Sequence, residues 1–297
     1  MEKLKSYMTF MNLAGSNSIF RLQGKLATLW FDEIVLQVPY NSIPSVLEKV
    51  AAEEGWAKST LDEILKIQVS ANKYIPEYSM LSKNPWDSDN VELVKFAENI
   101  TIQETRKMEP DIPESHPGFR HEVAWAGAGL IDGIELWLAL NSIASCTFIP
   151  HLREHLVLSQ LFSSEQRNKP FNIFSDVMVG KIPDLSNYSW DRIVELRHHP
   201  FFDKFREKIT ALNFQLDLGE SESVCEIVEE IARKDMIEMI RMFRPDPSMS
   251  VIKALASNIP LPIPLNPASA LFSVQDVKRQ AELSRKYGWL YFMIDLN

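Results

Sequence analysis

One stretch constrains this chain more than any other. From Phe119 to Ser145 it reads FRHEVAWAGAGLIDGIELWLALNSIAS, the longest and least interrupted apolar run in the 297 residues. Apolar side chains recur at Val123, Ala126, Leu130, Ile134, Trp137, Leu138 and Ile143, a 3.6-residue period with a wide buried face. Gly127, Gly129 and Gly133 each cost about 1 kcal/mol relative to alanine in a helix interior. That cost is tolerable where a second element packs too close for a side chain. The length also suits a membrane span. Asp132 and Glu135, however, fall near the middle of the run. A central carboxylate costs about 2.5–3.5 kcal/mol on the insertion scale, and each large apolar residue returns only about 0.3–0.6. Arg120, His121 and Glu122 shorten the clean apolar length further. The expectation is a buried core helix of a soluble protein, with no membrane partner.

Asp132 and Glu135 stand at i and i+3, so their carboxylates project from neighbouring positions on one face. A buried acid must be paired, hydrogen-bonded or protonated. The two can serve as metal ligands or an acid/base pair, or be answered by arginines from packed helices. With His121 and Glu122 they define a candidate buried polar site of four residues on the central helix.

Composition narrows the classes. A net charge of −9 and a pI near 5.3 argue against a nucleic-acid binder, because phosphate contacts need clustered Lys and Arg. The basic residues are spread singly among acids. Two cysteines, Cys146 and Cys225, make neither a disulfide framework nor a thiolate metal site, which suits reduced thiols in a cytoplasmic protein. The N-terminus lacks the long apolar core of a signal peptide. There is no G-x-x-x-x-G-K-[ST], no G-x-G-x-x-G after a strand and no G-x-S-x-G. Ten glycines leave little with which to build phosphate-cradling loops. NTPase, dinucleotide-dependent dehydrogenase and α/β-hydrolase readings are therefore poor.

In chain order, Met1–Asn17 is ambiguous between a short helix and an arm. Ser18–Trp30 reads as helix, and Phe31–Pro39, FDEIVLQVP, as a buried strand. Helices follow from Ser42, with Pro44 in the first turn, and from Ser59 through about Ala71. Tyr74–Asn90 is rich in turn residues, and Asp89 or Asn90 caps a helix to about Met108. Glu109–Gly118, with three prolines, is the candidate linker between an N-terminal α/β-like lobe, residues 1–108, and a mainly helical lobe with the central helix, residues 119–297, the alternative being one compact unit. Beyond the central helix, Cys146–Pro150 and Asn172–Val179 read as strands, and His151–Phe162 as a helix. Trp190–Leu212 is helical with a break at His198-His199-Pro200. Ser221–Met242 is an amphipathic helix opened by the capping box Ser223/Glu226. Ile259–Pro267 is extended by its prolines, Ser273–Tyr287 is a last helix, and Gly288–Leu296 a buried strand or docked tail. The expected fold is mainly α with a minor β component (α+β), a multi-helix globular protein built around the buried helix 119–145.

The sharpest motif is HLREH, His151–His155. It fits H-x-x-E-H, the zinc-binding pattern of inverzincin peptidases. Histidines at i and i+4 share a helical face and can reach one zinc, with Glu154 beside them as general base. Glu229 or Glu230 is available as a third ligand. The flanking HLVLSQLFSS lacks the glycine-containing continuation of such peptidases, and a solvated helix with two surface histidines carries the same five letters. The adjacent pair His198-His199 does not share a helix face and suits a helix end better than a metal.

Three phrases, LWFDEIVLQVP (Leu29–Pro39), KIPDLSNYSWDRIVELR (Lys181–Arg197) and GWLYFMIDL (Gly288–Leu296), resemble recurring pieces of uncharacterised bacterial cytosolic proteins. The resemblance implies a bacterial origin and brings no activity with it. The function expected from the sequence is that of a soluble cytoplasmic interaction or accessory protein working with protein partners in a bacterial complex, without a cofactor. The alternative is a zinc-dependent hydrolase using His151, Glu154 and His155, with Glu230 as a further ligand. A third reading places a small molecule against Asp132 and Glu135.

Overall fold

The computed structural model describes residues 3–8, 18–37, 42–78, 85–150, 152–161, 169–182, 184–212, 224–243 and 285–293. Most of these are helical, and four short strands, Lys5–Met8 (β1), Glu33–Leu36 (β2), Gln68–Ser70 (β3) and Thr147–Phe148 (β4), form one sheet. The chain is thus mainly α with a minor β component, as the sequence predicts. The strands are all parallel and lie in the order β3-β2-β1-β4. Helix Ser18–Trp30 joins β1 to β2, and helices Ser42–Glu54 and Lys58–Ile67 join β2 to β3. The return from β3 to β4 runs through helices Val91–Met108 and Pro117–Ala144. This path goes outward from β1 on one side and then comes back to its other side. It is the winding that makes β1/β4 a topological switch point.

Register decides what the long helix covers. Tyr7 pairs with Val35 and Phe148, and Val35 with Val69. With a side-chain period of two, these four share a face with Lys5, Glu33 and Gln37. Tyr7 and Val35 belong to one core with Leu130, Ile131, Ile134, Trp137 and Leu140 of the central helix, and Val69 and Phe148 pack on it. The helix Pro117–Ala144 is the one among the described residues long and apolar enough for a membrane span. In this fold that apolar stripe lies on the sheet, while Trp125 and Ile143 on its outer side are 63% and 60% exposed.

The amino edge of the strands is closed by charge. Lys5 Nζ donates to Ala144 O at 3.3 Å, placing a cation on the carbonyl end of the central helix, where the helix dipole favours it. Glu33 is buried and accepts from Lys73 Nζ at 2.7 Å and from the Tyr74 hydroxyl. Burial pushes the Glu33 carboxyl upward, but the hydrogen bonds from Lys73 and Tyr74 and the charges of Lys73 and Lys3 outweigh it and leave it below its ordinary value.

The chain divides into two compact units, Met1–Asn168 with Ser186–Val194, and Lys169–Leu185 with Glu195–Asn297. The proline-rich Glu109–Gly118 connection lies inside the first unit. Arg106 holds it, donating to Ile112 O at 2.9 Å and pairing with Glu114 at 2.6 Å. In the same unit the buried Lys25 ammonium donates to Ser186 O at 2.6 Å and Tyr188 O at 2.7 Å. Asp191 accepts from Ala57 N at 3.0 Å. These contacts fix the Ser186–Val194 segment there. The second unit has an aromatic core in which Phe292 packs 4.8 Å from Phe205 and 5.1 Å from Phe202, ring to ring.

Several local expectations are corrected. Lys5–Met8, inside the ambiguous N-terminal stretch, is a strand. The helix expected through Ala71 stops at Ile67 and gives way to β3. Asn172–Val179 is not a strand but part of helix Lys169–Lys181. Its β-branched content is overridden by spacing, since Ile173, Phe174, Val177 and Met178 form one buried helical stripe. Residues 288–293, read as a buried strand or docked tail, are helical, continuous with residues 285–287 of the expected last helix; the rest of both segments, 273–284 and 294–296, lies outside the described residues. Ser189 caps the helix Trp190–Arg197 through Arg192 N at 3.2 Å, and the break at His198–Pro200 precedes helix Phe202–Leu212. The Ser223 capping residue and the Ile259–Pro267 segment lie outside the described residues.

The central glycines separate cleanly. A Cβ on Gly127 would stand 2.6 Å from the Trp86 indole, whereas one on Gly129 meets nothing within 4 Å. Gly127→Ala is predicted to destabilise by about 1–3 kcal/mol, the range for forcing extra atoms into a packed site. Gly129→Ala is predicted to stabilise by about 1 kcal/mol. Chemical denaturation of the two variants checks the opposite signs; equal effects would contradict the packing.

Candidate functional site

The carboxyl edge of the same sheet face is polar, and four elements build it. Tyr7 comes from β1, buried to 0% exposure. Gln37 follows the last residue of β2 and by alternation faces the same way. Tyr78 comes from the turn after β3, which Asn72 organises. Its backbone N–H donates to Ser70 Oγ at 3.2 Å and its amide donates to the carbonyls of Pro76 and Tyr78. Asp132 projects from the central helix. Glu154, buried to 5%, sits in the first turn of helix Leu152–Leu161 just beyond β4, where the helix dipole favours an acid.

Asp132 Oδ2 accepts from Gln37 Nε2 at 2.7 Å and from the Tyr78 hydroxyl at 2.9 Å. The partners of this acid are therefore an amide and a phenol, where arginines were one expectation. Gln37 is thereby oriented, and its Oε1 is left toward Gly133. At Gly133 an added methyl carbon would meet Glu154 Oε1 and the Tyr7 hydroxyl oxygen at 3.6 Å each, and Gln37 Oε1 at 3.9 Å. Those are ordinary contact distances, so the missing side chain leaves room for one small group ringed by three oxygens. The Tyr7 hydroxyl has no hydrogen-bond partner in the protein. An unmet buried hydroxyl costs about 1–3 kcal/mol, and native proteins keep few such groups.

Electrostatics fix the role of the phenols. Burial first, then the nearby Glu154, Tyr78 and Asp132, push the Tyr7 phenol well above its ordinary value. The Tyr78 phenol is raised by burial and by Asp132, against a hydrogen bond from Gln37. Both therefore remain protonated donors at physiological pH. The arrangement can offer an O–H donor from Tyr7 beside oxygen acceptors from Glu154 and Gln37. Tyr7 and Glu154 come from β1 and from the helix after β4, at the switch point outside the carboxyl ends of the strands, where ligands of parallel α/β sheets bind.

The residues nominated from sequence fall in several places. Asp132 is in the site, half-buried. Glu135 instead accepts from Ser88 Oγ, which also takes the N–H of Asn90, the residue capping helix Val91–Met108. It serves that turn. His121 and Glu122 are exposed near the start of the central helix, so the four do not form one buried cluster. They are ten or more positions from Asp132, and the helix advances about 1.5 Å per residue. In the H-x-x-E-H segment, His151 lies outside the described residues, Glu154 is buried and His155 is exposed. Of the two histidines that would share the zinc, only His155 is among the described residues. No group of three His, Cys, Asp or Glu able to hold a metal occurs among the described residues. Glu229 pairs with Lys181 at 2.6 Å and Glu230 with Lys234 at 2.7 Å, both in the second unit. His199 Nδ1 accepts from Phe201 N at 3.2 Å, a helix-end role. Cys146 is a free buried thiol, pushed up to about 11 chiefly by burial.

Tyr7, Gln37 and Tyr78 were not legible as site residues. Tyr7 lay in a stretch of no clear period and Tyr78 in a loop. Gln37, a polar residue closing an apolar strand, carried the one available signal. Comparison with known proteins gives no significant match to a family model, to a curated protein or to a solved structure.

Because the Tyr7 hydroxyl holds no structural bond, Tyr7→Phe is predicted to be as stable as the wild type or more stable, by up to about 2 kcal/mol. Chemical denaturation checks it. A loss of about 1 kcal/mol or more would assign the hydroxyl to the fold.

Proposed function

We propose that the first unit is a binding domain for a small polar ligand, received at the carboxyl edge of the sheet between β1 and β4. The single observation that carries this reading is the fully buried Tyr7 hydroxyl, without a protein partner, directed with Glu154 and Gln37 at the room over Gly133. Asp132, Gln37 and Tyr78 form the support that holds this arrangement in place. The ligand is expected to lack negative charge, since the Glu154 carboxyl borders the room and the Asp132 charge acts on Tyr7.

The domain is placed within a soluble, cytoplasmic accessory protein of a bacterial complex, the setting that acidic composition and the absent catalytic motifs support. Trp125 and Met108, 63% and 64% exposed, supply apolar surface of the sort a protein partner would cover. Ligand binding would then be the input of the accessory protein, and no chemical step is assigned to it.

A fragment screen read by backbone amide chemical shifts tests the reading. Hits are expected to move the amides of Tyr7, Gln37 and Gly133 together. Hits scattered elsewhere, or none at these three positions, would count against it.

A further inference from the structure

The central helix keeps three interior glycines, and the fold accounts for two of them. Gly127 lies against the Trp86 indole, and Gly133 opens the room beside Tyr7. At Gly129 a Cβ would meet nothing within 4 Å. The chain itself therefore gives no reason to carry there a residue that costs about 1 kcal/mol in a helix interior. One turn earlier stands Trp125, 63% exposed and alone among the described aromatic residues in being exposed. Positions i and i+4 are neighbours on one helical face. The outer face of this helix thus carries a large apolar knob and, beside it, a gap of the kind that receives one.

We propose that this face is a two-fold interface between two copies of the chain, with the Pro117–Ala144 helices antiparallel and Trp125 of each copy seated over Gly129 of the other. This goes beyond the ligand-binding reading, does not depend on it, and names what covers Trp125. A closed two-fold contact requires a patch complementary to itself, so that residue i meets residue j and j meets i. A knob and a gap four residues apart meet that requirement when the helices run in opposite directions about a point level with Gly127. A glycine at the contact lets the helix axes approach to the near end of the usual range, about 8 Å, and tryptophan is the residue type most enriched among those that carry interface energy. The polar groups agree with the same pairing. His121, exposed, and Asp132, half-buried, lie on the Trp125 side of the helix, four residues before it and seven after. The pairing brings His121 of one copy level with Asp132 of the other, to within about 1.5 Å along the axis. Both hydrogen bonds that Asp132 accepts within its own chain fall on Oδ2, which leaves Oδ1 for a donor from His121. An unrelated partner would need neither the knob to fit the chain's own gap nor the histidine to fall level with the chain's own acid.

The test is sedimentation velocity of the full chain from about 1 µM to about 1 mM, the range in which a small interface dissociates. Wild type is expected to pass from monomer to dimer as concentration rises. Trp125→Ala and Gly129→Leu are expected to associate at least about tenfold more weakly, and so is His121→Glu, which sets like charge against Asp132. Gly129→Leu is the decisive variant, because in the single chain its side chain enters open space and replaces a poor helix former. Its melting temperature at low concentration is expected to hold or rise while association is lost, a combination that a merely structural glycine would not give. A wild type that stays monomeric throughout, a dimer that survives Trp125→Ala and Gly129→Leu, or growth past the dimer into open assemblies each overturns the proposal. The amide shifts of Tyr7, Gln37 and Gly133 report separately on the ligand site, so failure of the interface and failure of the ligand-binding reading are told apart.

Discussion

The apolar stripe of the Pro117–Ala144 helix must be covered, and the sheet face that carries Tyr7, Val35, Val69 and Phe148 covers it. Much of the first unit follows from that burial. The helix must run against the strands to return the chain to β4, which puts its carbonyl end at the amino edge, where Lys5 meets Ala144 O. It must come close enough to its neighbours that Gly127 has no room for a methyl beside Trp86. Its two acids project from neighbouring positions of one face, but about 4.5 Å apart along the axis, and so they meet different surroundings. Asp132 looks over the carboxyl edge toward Gln37 and Tyr78, and Glu135 looks toward the Ser88 turn.

The two ends of the covered face are unlike in how their polar groups are met. At the amino edge Glu33, Lys73, Tyr74 and Lys5 are fully engaged, and burial of the Glu33 charge is outweighed by its partners. At the carboxyl edge Asp132 is satisfied, but the Tyr7 hydroxyl beside it is not. Ser6 and Gln68, on the other face of the sheet, also carry unmet buried atoms, so the contrast is one of the covered face, whose carboxyl edge a single change could close. A phenylalanine at position 7 would do so at once. Local violations of good packing chemistry gather at functional sites, where stability is given up for something bound. The location agrees with this, since the Tyr7 hydroxyl, one of several unmet buried groups, lies at the switch point of the winding.

The fold class was legible because the central helix, the Val91–Met108 helix with its Asn90 cap and the FDEIVL strand carry strong periods and end signals. The parallel sheet was not. β1, β3 and β4 are four, three and two residues long, too short for an alternating pattern to register, and strand order is set by tertiary packing. Helix Lys169–Lys181 was misread because Ile173, Val177 and Val179 suggest a strand residue by residue, although their spacing with Phe174 and Met178 is helical. The site was half legible. Asp132 and Glu154 stood out as acids, one for burial and one for its histidine neighbours. What joins them is Gly133 and Tyr7, and neither a glycine in an apolar helix nor a tyrosine in a short strand announces a ligand. The two polar sets proposed from sequence, His121–Glu135 and His151–His155, were linear neighbours. The site in space takes one acid from each.

The most direct test of the account is a crystal structure at a resolution that shows ordered solvent around Gly133. The account predicts an oxygen atom over Gly133, from water or from a ligand, within hydrogen-bond distance of the Tyr7 hydroxyl. A Tyr7 hydroxyl bonded directly to Glu154, with no oxygen between them and Gly133 in contact with side chains, would contradict it.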